Sequence, residues 1–144
     1  MFARKVSFVS PDTGWFISGQ NPGQLFKSTN GGSNWFIQYT APDDLRNLYF
    51  INSQTGFIVG PFGGFSVRKT TNGGNNWIPT INSEGGTAIA FANENTSWIS
   101  NGFFIMQKST DGGITWNDQS SPIFNIVCLS VYDTSLSGEV EVVL

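Results

Sequence analysis

The sequence predicts an all-β fold built from one four-stranded unit that is repeated along the chain. The composition combines 17 glycines and 15% aromatic residues with only 12% charged residues, a balance typical of short strands joined by tight turns. A segment of the form Lys-Ser/Thr-Thr-Asn/Asp-Gly-Gly-x-x-Trp occurs three times. A second pattern, an aromatic strand followed by a turn and another apolar strand, recurs with the same period, which indicates a repeat protein.

The two patterns recur with nearly the same spacing along the chain. The tryptophans that end the first pattern lie 42 and then 39 residues apart, and the phenylalanines that open the second lie 42 and then 41 apart. The copies of the first pattern are 27–35, 69–77 and 108–116, and the opening residues of the second are Phe8, Phe50 and Phe91. Two separate patterns with one spacing argue strongly against coincidence.

Each unit divides into four short strands, A to D. In the first unit we expect strands over 5–10, 15–18, 24–29 and 34–39. The segments between them carry turn residues: Pro11-Asp12-Thr13-Gly14, Asn21-Pro22-Gly23 and Asn30-Gly31-Gly32. Proline presets φ, and asparagine and glycine accept the conformations that tight turns need. Four strands at this period are what one blade of a β-propeller requires.

The predicted fold class is therefore a β-propeller of four-stranded antiparallel blades, with three blades and part of a fourth. The predicted blades are 4–40, 45–80, 86–119 and a partial 124–144. Tyr132 lies 41 residues after Phe91, where the next leading aromatic belongs, but Glu139 then takes the position of Trp15. Because propellers close with about 4–8 blades, we expect either a piece of a longer propeller or a unit that closes by self-association, for example as a six-bladed dimer.

The third copy of the first pattern resembles the Asp-box, or BNR repeat, S-x-D-x-G-x-T-W. Ser109, Asp111, Gly113, Thr115 and Trp116 match it. The first two copies depart from it, since asparagine replaces the aspartate and the threonine in both. Together with the second pattern, this resembles the photosystem II stability/assembly factor-like propellers. Asp-boxes also occur in sialidases, xyloglucan-cleaving glycosidases and sortilin-type receptors.

The physics of this turn predicts a structural role for its residues. A short Asp or Asn side chain accepts hydrogen bonds from its own turn, and the tryptophan offers a large apolar body to the space between blades. The resemblance places the turn between the outer two strands. The residues assigned to this role are Ser28, Asn30, Gly32, Trp35, Thr70, Asn72, Gly74, Trp77, Ser109, Asp111, Gly113, Thr115 and Trp116.

The composition limits the kinds of functional site that we expect in this chain. There is no histidine, and the single cysteine, Cys128, lies in an apolar run, so we expect no metal site, no cofactor and no internal disulfide. A net charge of −3 without clustered lysines or arginines argues against a nucleic-acid partner. No apolar run of about 18 residues predicts a membrane span. The N-terminus lacks the pattern of a signal peptide, although the resemblance implies an exported parent protein.

Glycoside hydrolysis is the enzymatic alternative, because several Asp-box propellers catalyse it. That reaction needs two suitably placed carboxylates, and a sialidase-like site also needs arginines for the substrate carboxylate. Asp43 and Asp44 form the best acidic pair, in a connection on the face where propellers place sites, and Arg46 and Arg68 are the candidate arginines. Solvated turn and surface roles are the favoured interpretation of these residues, and no catalytic set emerges.

Aromatic residues beside the B–C turns are candidates for ligand contact. Phe62, Phe65, Phe103 and Phe104 would suit a carbohydrate or a protein segment if exposed, although packing between blades is the competing interpretation. The repeated Lys27, Lys69 and Lys108 are expected to form an exposed row. The sequence therefore favours a non-enzymatic scaffold that binds a protein, with itself as one candidate partner. The alternative is a glycan-binding or glycan-cleaving propeller.

Overall fold

The computed structural model describes residues 2–61, 66–101, 105–119, 130–134 and 139–143. It consists of three four-stranded antiparallel sheets and a two-stranded hairpin, which confirms the predicted fold class. The first sheet holds β1 (Ala3–Phe8), β2 (Gly14–Ser18), β3 (Gln24–Ser28) and β4 (Phe36–Thr40). The second holds β5 (Asn47–Phe50), β6 (Gly56–Val59), β7 (Val67–Thr70) and β8 (Ile78–Pro79).

The third sheet and the hairpin continue the same order. The third sheet holds β9 (Ala88–Phe91), β10 (Ser97–Ser100), β11 (Met106–Ser109) and β12 (Asn117–Gln119), and the hairpin holds β13 (Ser130–Thr134) and β14 (Glu139–Val143). Strands that are consecutive in sequence are neighbours in every sheet. Nothing in the described ranges forms a helix long and apolar enough to cross a membrane.

The blades are arranged through their first strands. β1 contacts β5, β5 contacts β9, and β9 contacts β13, so the first strands of consecutive blades lie side by side. Because each blade is a simple meander, its A–B and C–D turns lie at one end and its B–C turn and exit connection at the other. We call these the turn end and the connection end.

The strand boundaries differ slightly from the predicted ones, for a local reason. Strand A was expected to reach Ser10, but β1 ends earlier, because the Ser10 Oγ accepts the Thr13 N–H at 3.0 Å within the turn. Strand D was expected from Asn34, whereas the Asn34 N–H donates to Asn30 Oδ1 at 2.9 Å. Turn hydrogen bonds thus occupy backbone groups that a longer strand would have used.

Aromatic rings fill the spaces between blades. Trp15 of the first blade stacks on Phe50 of the second, with ring centroids 3.7 Å apart and an angle of 4° between planes. Phe57 of the second blade packs on Phe91 of the third, with centroids 4.7 Å apart. Both B-strand residues, Trp15 and Phe57, are completely buried. Contacts between neighbouring sheets therefore contribute to the hydrophobic stabilisation of the fold.

Each C–D turn is closed by the same hydrogen bonds. In the first, the Ser28 hydroxyl donates to Asn30 Oδ1 at 3.0 Å and accepts the Gly32 N–H at 2.9 Å. The second turn repeats this pattern through Thr70 and Asn72. The third repeats it through Ser109 and Asp111. The side chains supply the acceptors that the tight backbone lacks, which is a structural use of these polar groups.

Asp111 gives the third turn a dependence on pH. Burial raises the pKa of its carboxyl, but hydrogen bonds from Thr115, Ser109 and Ile114 outweigh this effect and lower the pKa from 3.8 to about 2. A group whose pKa is lower in the folded state stabilises the fold above its unfolded pKa. That contribution is present above about pH 4 and is lost as the pH falls toward 2.

We expect Asp111→Asn to lower the free energy of unfolding at pH 7 by about 1 kcal/mol, because a charged acceptor is replaced by a neutral one in an exposed turn. Asn30 and Asn72 occupy the equivalent positions, so the turn itself should persist. Urea unfolding between pH 3 and 7 tests this, with Asp12→Asn as a control on an exposed aspartate. The difference from the wild type should shrink as the pH falls, and a difference independent of pH would contradict the assignment.

The predicted exposed row of lysines is wrong. Lys27, Lys69 and Lys108 are only partly exposed, and each ammonium lies over a B-strand ring, at 5.0, 5.6 and 5.2 Å from the centroids of Trp15, Phe57 and Trp98. Lys69 Nζ also donates to the Gly112 carbonyl of the next blade at 2.8 Å. Cross-strand pairing brings each lysine over its ring, where the aromatic face attracts the cation.

Candidate functional site

Three equivalent positions of the repeat meet at the connection end. Arg4 lies near the start of β1, and Arg46 and Thr87 immediately precede β5 and β9. These residues are 42 and 41 residues apart, the spacing of the leading phenylalanines. Because the first strands lie side by side, the three side chains line one cavity of about 340 Å³. We call Arg4, Asp44, Arg46 and Thr87 the inner mouth.

The inner mouth carries a local excess of positive charge. Arg4 Nη1 donates to Asp44 Oδ2 at 2.8 Å and to the Leu45 carbonyl at 3.0 Å. Arg46 Nε lies 3.6 Å from the same Asp44 oxygen. The side chains of Arg4 and Arg46 remain 39% and 42% exposed. Two guanidinium groups thus share one carboxylate and retain donors that face the solvent, an arrangement suited to a carboxylate ligand.

The adjacent acidic residues of the predicted pair have different surroundings. Asp44 contacts both arginines of the mouth, and its Oδ1 is buried without a hydrogen-bond partner in the described part of the chain. Asp43 contacts the first blade through its backbone, since its carbonyl accepts the Gly23 N–H at 2.9 Å. The Gly23 carbonyl in turn accepts the Ala41 N–H at 2.8 Å. These bonds fasten the connection after β4 to the B–C turn of the first blade.

The remaining predicted site residues lie elsewhere. Arg68 lies within β7, opposite Ile58 and Pro79 in the neighbouring strands, and does not line the inner mouth. The four phenylalanines named beside the B–C turns fall outside the described residues: Phe62, Phe65, Phe103 and Phe104. Within the described ranges, no group of three or more acidic, histidine or cysteine side chains could hold a metal ion.

Two members of the inner mouth, Arg4 and Thr87, were not found by sequence reasoning. The signal was available, because both occupy the position of Arg46 in their own blades. Comparison of that one position across the repeat would have selected all three. The ion pair between Arg4 and Asp44 joins residues 40 apart in the chain, and the pattern of strands alone does not indicate it.

The chain matches no protein-family model. No curated protein matches it either. Among solved structures it is similar to YCF48 bound to a D1 peptide, with a TM-score of 0.67 and 19% identity over 86% of this chain and 42% of that one.

Two glycoside hydrolase structures are also similar. An ancestral GH74 enzyme has a TM-score of 0.68 and 19% identity, covering 89% of this chain and 20% of that one. The GH74 enzyme of Niastella koreensis has a TM-score of 0.64 and 19% identity, covering 90% of this chain and 24% of that one. All three are propellers, and the chain spans less than half the length of each. At this identity the likeness establishes the β-propeller fold and nothing finer.

Proposed function

We propose that this chain is a non-enzymatic propeller scaffold, and that the inner mouth binds a protein segment through acidic side chains or a terminal carboxylate. The observation that carries the proposal is the convergence of Arg4 and Arg46 on one open cavity with a single carboxylate between them. A bidentate guanidinium–carboxylate pair is a strong and directional contact. The similar fold of YCF48, solved with a D1 peptide, supports a peptide as the class of partner.

We also propose that the repeat is of the Asp-box type. The hydrogen bonds of the three C–D turns are those that an Asp-box is expected to make, and they support classing the chain with Asp-box propellers of the photosystem II assembly factor-like type. In such a scaffold the turn end holds the blades together, and the connection end is left for binding. Binding to a second copy of the chain remains part of the same proposal, because an acidic surface segment of a copy could fill the mouth.

Arg46→Ala is expected to weaken binding of an acidic peptide about tenfold, since a charge-assisted hydrogen bond contributes about 1.5 kcal/mol or more. Fluorescence anisotropy with a labelled peptide of Glu and Ser measures this, with a peptide of Gln and Ser as the neutral counterpart. Arg46 is the better target, because Arg4 also donates to the Leu45 carbonyl and its removal would disturb the connection.

Lys5→Ala is the matched control, because Lys5 is exposed on the same strand as Arg4 but does not line the cavity. The acidic peptide should bind the control like the wild type, and added salt should weaken its binding. Equal binding of the acidic and neutral peptides, or equal loss in both variants, would rule out the inner mouth as the site.

A glycan-cleaving propeller is the second candidate, favoured by the GH74 enzymes that share the fold. The contacts of Asp44 with two arginines argue against it as a free general acid or base. Incubation with a panel of polysaccharides and analysis of the products tests this function. Release of sugar that both Asp43→Ala and Asp44→Ala abolish would establish hydrolysis and overturn the non-enzymatic proposal.

A further inference from the structure

A second cleft opens at the outer side of the third blade. It has a volume of about 420 Å³ and lies between β11, β12 and the connection that enters this blade. Among the described residues, the lining side chains are polar apart from Trp116, and they include two carboxylates and no basic group. The main lining residues are Asn82, Glu84, Gln107, Trp116, Asn117 and Asp118.

Gln107 holds this cleft in shape. Its side chain is only 3% exposed. The Oε1 atom accepts the Glu84 N–H at 3.0 Å, and Nε2 donates to the Asn82 carbonyl at 2.9 Å and to Asp118 Oδ1 at 2.8 Å. One buried amide therefore fixes both walls, which is the kind of preorganisation that a ligand site needs.

Two polar groups of the cleft residues lack partners. Trp116 is 1% exposed, and neither its Nε1–H nor Glu84 Oε2 has a hydrogen-bond partner within the described ranges. One is a donor without an acceptor, and the other is an acceptor without a donor. Both atoms are shielded from solvent, so a ligand reaches them only when a side chain moves. A hydroxyl group can both donate and accept, whereas an ammonium group cannot accept. Two carboxylates without a basic neighbour disfavour an anionic ligand.

The repeat does not require this polar set. The cross-strand pair Gln107–Asp118 of the third blade corresponds to Phe26–Ile37 in the first and Arg68–Pro79 in the second. Trp77, the equivalent of Trp116, also has an Nε1–H without a hydrogen-bond partner among the described residues. In the second blade, however, Ile78 and Pro79 stand where the third has Asn117 and Asp118. Polarity at these positions is a property of the third blade alone among the three.

We propose that this cleft is a binding site for a polyhydroxylated ligand, such as a sugar ring, held by Glu84, Trp116 and Asp118 without being cleaved. Carboxylates accept hydrogen bonds, and side-chain amides both accept and donate them, which suits a row of neighbouring hydroxyl groups. The cleft shares no residue with the inner mouth. The two proposals therefore succeed or fail separately.

Titration with glucose, galactose, xylose and cellobiose tests this site. The readout is the indole N–H signal of Trp116 in ¹H–¹⁵N NMR spectra, because a new acceptor shifts that signal. The Trp15 signal serves as an internal reference, since its Nε1 already donates to Gln38 Oε1 at 2.9 Å. At least one sugar should shift the Trp116 signal saturably and leave the Trp15 signal in place.

The double variant Glu84→Gln/Asp118→Asn keeps the shapes of both side chains and should weaken that binding at least tenfold. Glu94→Gln is the control, because Glu94 is exposed in the A–B turn of the same blade. If the double variant does not fold, Asn117→Ala, at an exposed position of the lining, should also weaken binding. The proposal fails if no sugar shifts the Trp116 signal, or if the folded variants bind as well as the wild type.

Discussion

Replacement of Gly113 with alanine is expected to lower the free energy of unfolding by about 2 to 5 kcal/mol. Gly113 adopts a φ of 74°, which costs an alanine about 1–2 kcal/mol. The added methyl group would also overlap the ring of Phe57, which is completely buried between the second and third blades. Overpacking of a closed core costs about 1–3 kcal/mol more.

Gly31→Ala separates these two contributions. Gly31 has nearly the same conformation, with a φ of 66°, but the nearest atom to an added Cβ is the Pro11 carbonyl oxygen at 3.2 Å. We therefore expect this variant to lose only the conformational part, about 1–2 kcal/mol. Urea unfolding followed by tryptophan fluorescence gives both values. Equal losses in the two variants would show that overlap of the added methyl group at Gly113 with the Phe57 ring costs nothing.

Replacement of Trp15 with alanine is expected to lower the free energy of unfolding by about 3–5 kcal/mol, the range for a large buried aromatic. Trp15 is completely buried and stacks on Phe50 of the next blade at 3.7 Å. Lys27 Nζ also lies 5.0 Å from the centroid of the Trp15 ring. The variant therefore leaves a cavity at the junction between the first two blades.

Trp15→Phe is the matched control for this junction. It keeps an aromatic ring against Phe50 but removes the indole N–H that donates to Gln38 Oε1 at 2.9 Å. Gln38 would keep its own bond to the Gly73 carbonyl, at 2.9 Å. We expect a loss of about 1–2 kcal/mol, measured by the same urea unfolding. If Trp15→Ala cost no more than Trp15→Phe, stacking between blades would not be a main source of stability.

The packing between blades also affects the candidate site. The inner mouth is assembled from different blades, since Arg4 belongs to the first, Arg46 leads into the second and Thr87 leads into the third. Its geometry therefore depends on the packing of Trp15 on Phe50 and of Phe57 on Phe91. A variant that loosens a junction should also weaken binding at the mouth, although its residue touches no ligand.

Local features of the fold were predictable from the sequence. The period of the two patterns determined the number of described blades and the order of their strands, because turn residues and strand alternation act over a few neighbouring residues. The polar side chains of the C–D turns were also assigned from the sequence, since Asn30, Asn72 and Asp111 bond to the backbone of their own turns. Strand ends were less predictable, because turn hydrogen bonds compete with sheet pairing.

The surroundings of the lysines and the candidate sites were not predictable from the sequence pattern. Lys69 reaches the Gly112 carbonyl across 43 residues of chain, and Arg4 reaches Asp44 across 40. Such contacts depend on how far each sheet twists and how closely the next one packs, neither of which the pattern encodes. The polar cleft was missed for the same reason, because Gln107 and Glu84 meet only when the connection folds back over the third blade.

The sequence by itself determined that this protein is a series of four-stranded blades with structural turns at one end. Local turn chemistry and hydrophobic alternation are sufficient for that conclusion. Only the tertiary structure decided which side chains meet at the other end. The inner mouth and the third-blade cleft join residues from separate blades and connections, and their positions are set by the packing of one sheet on the next.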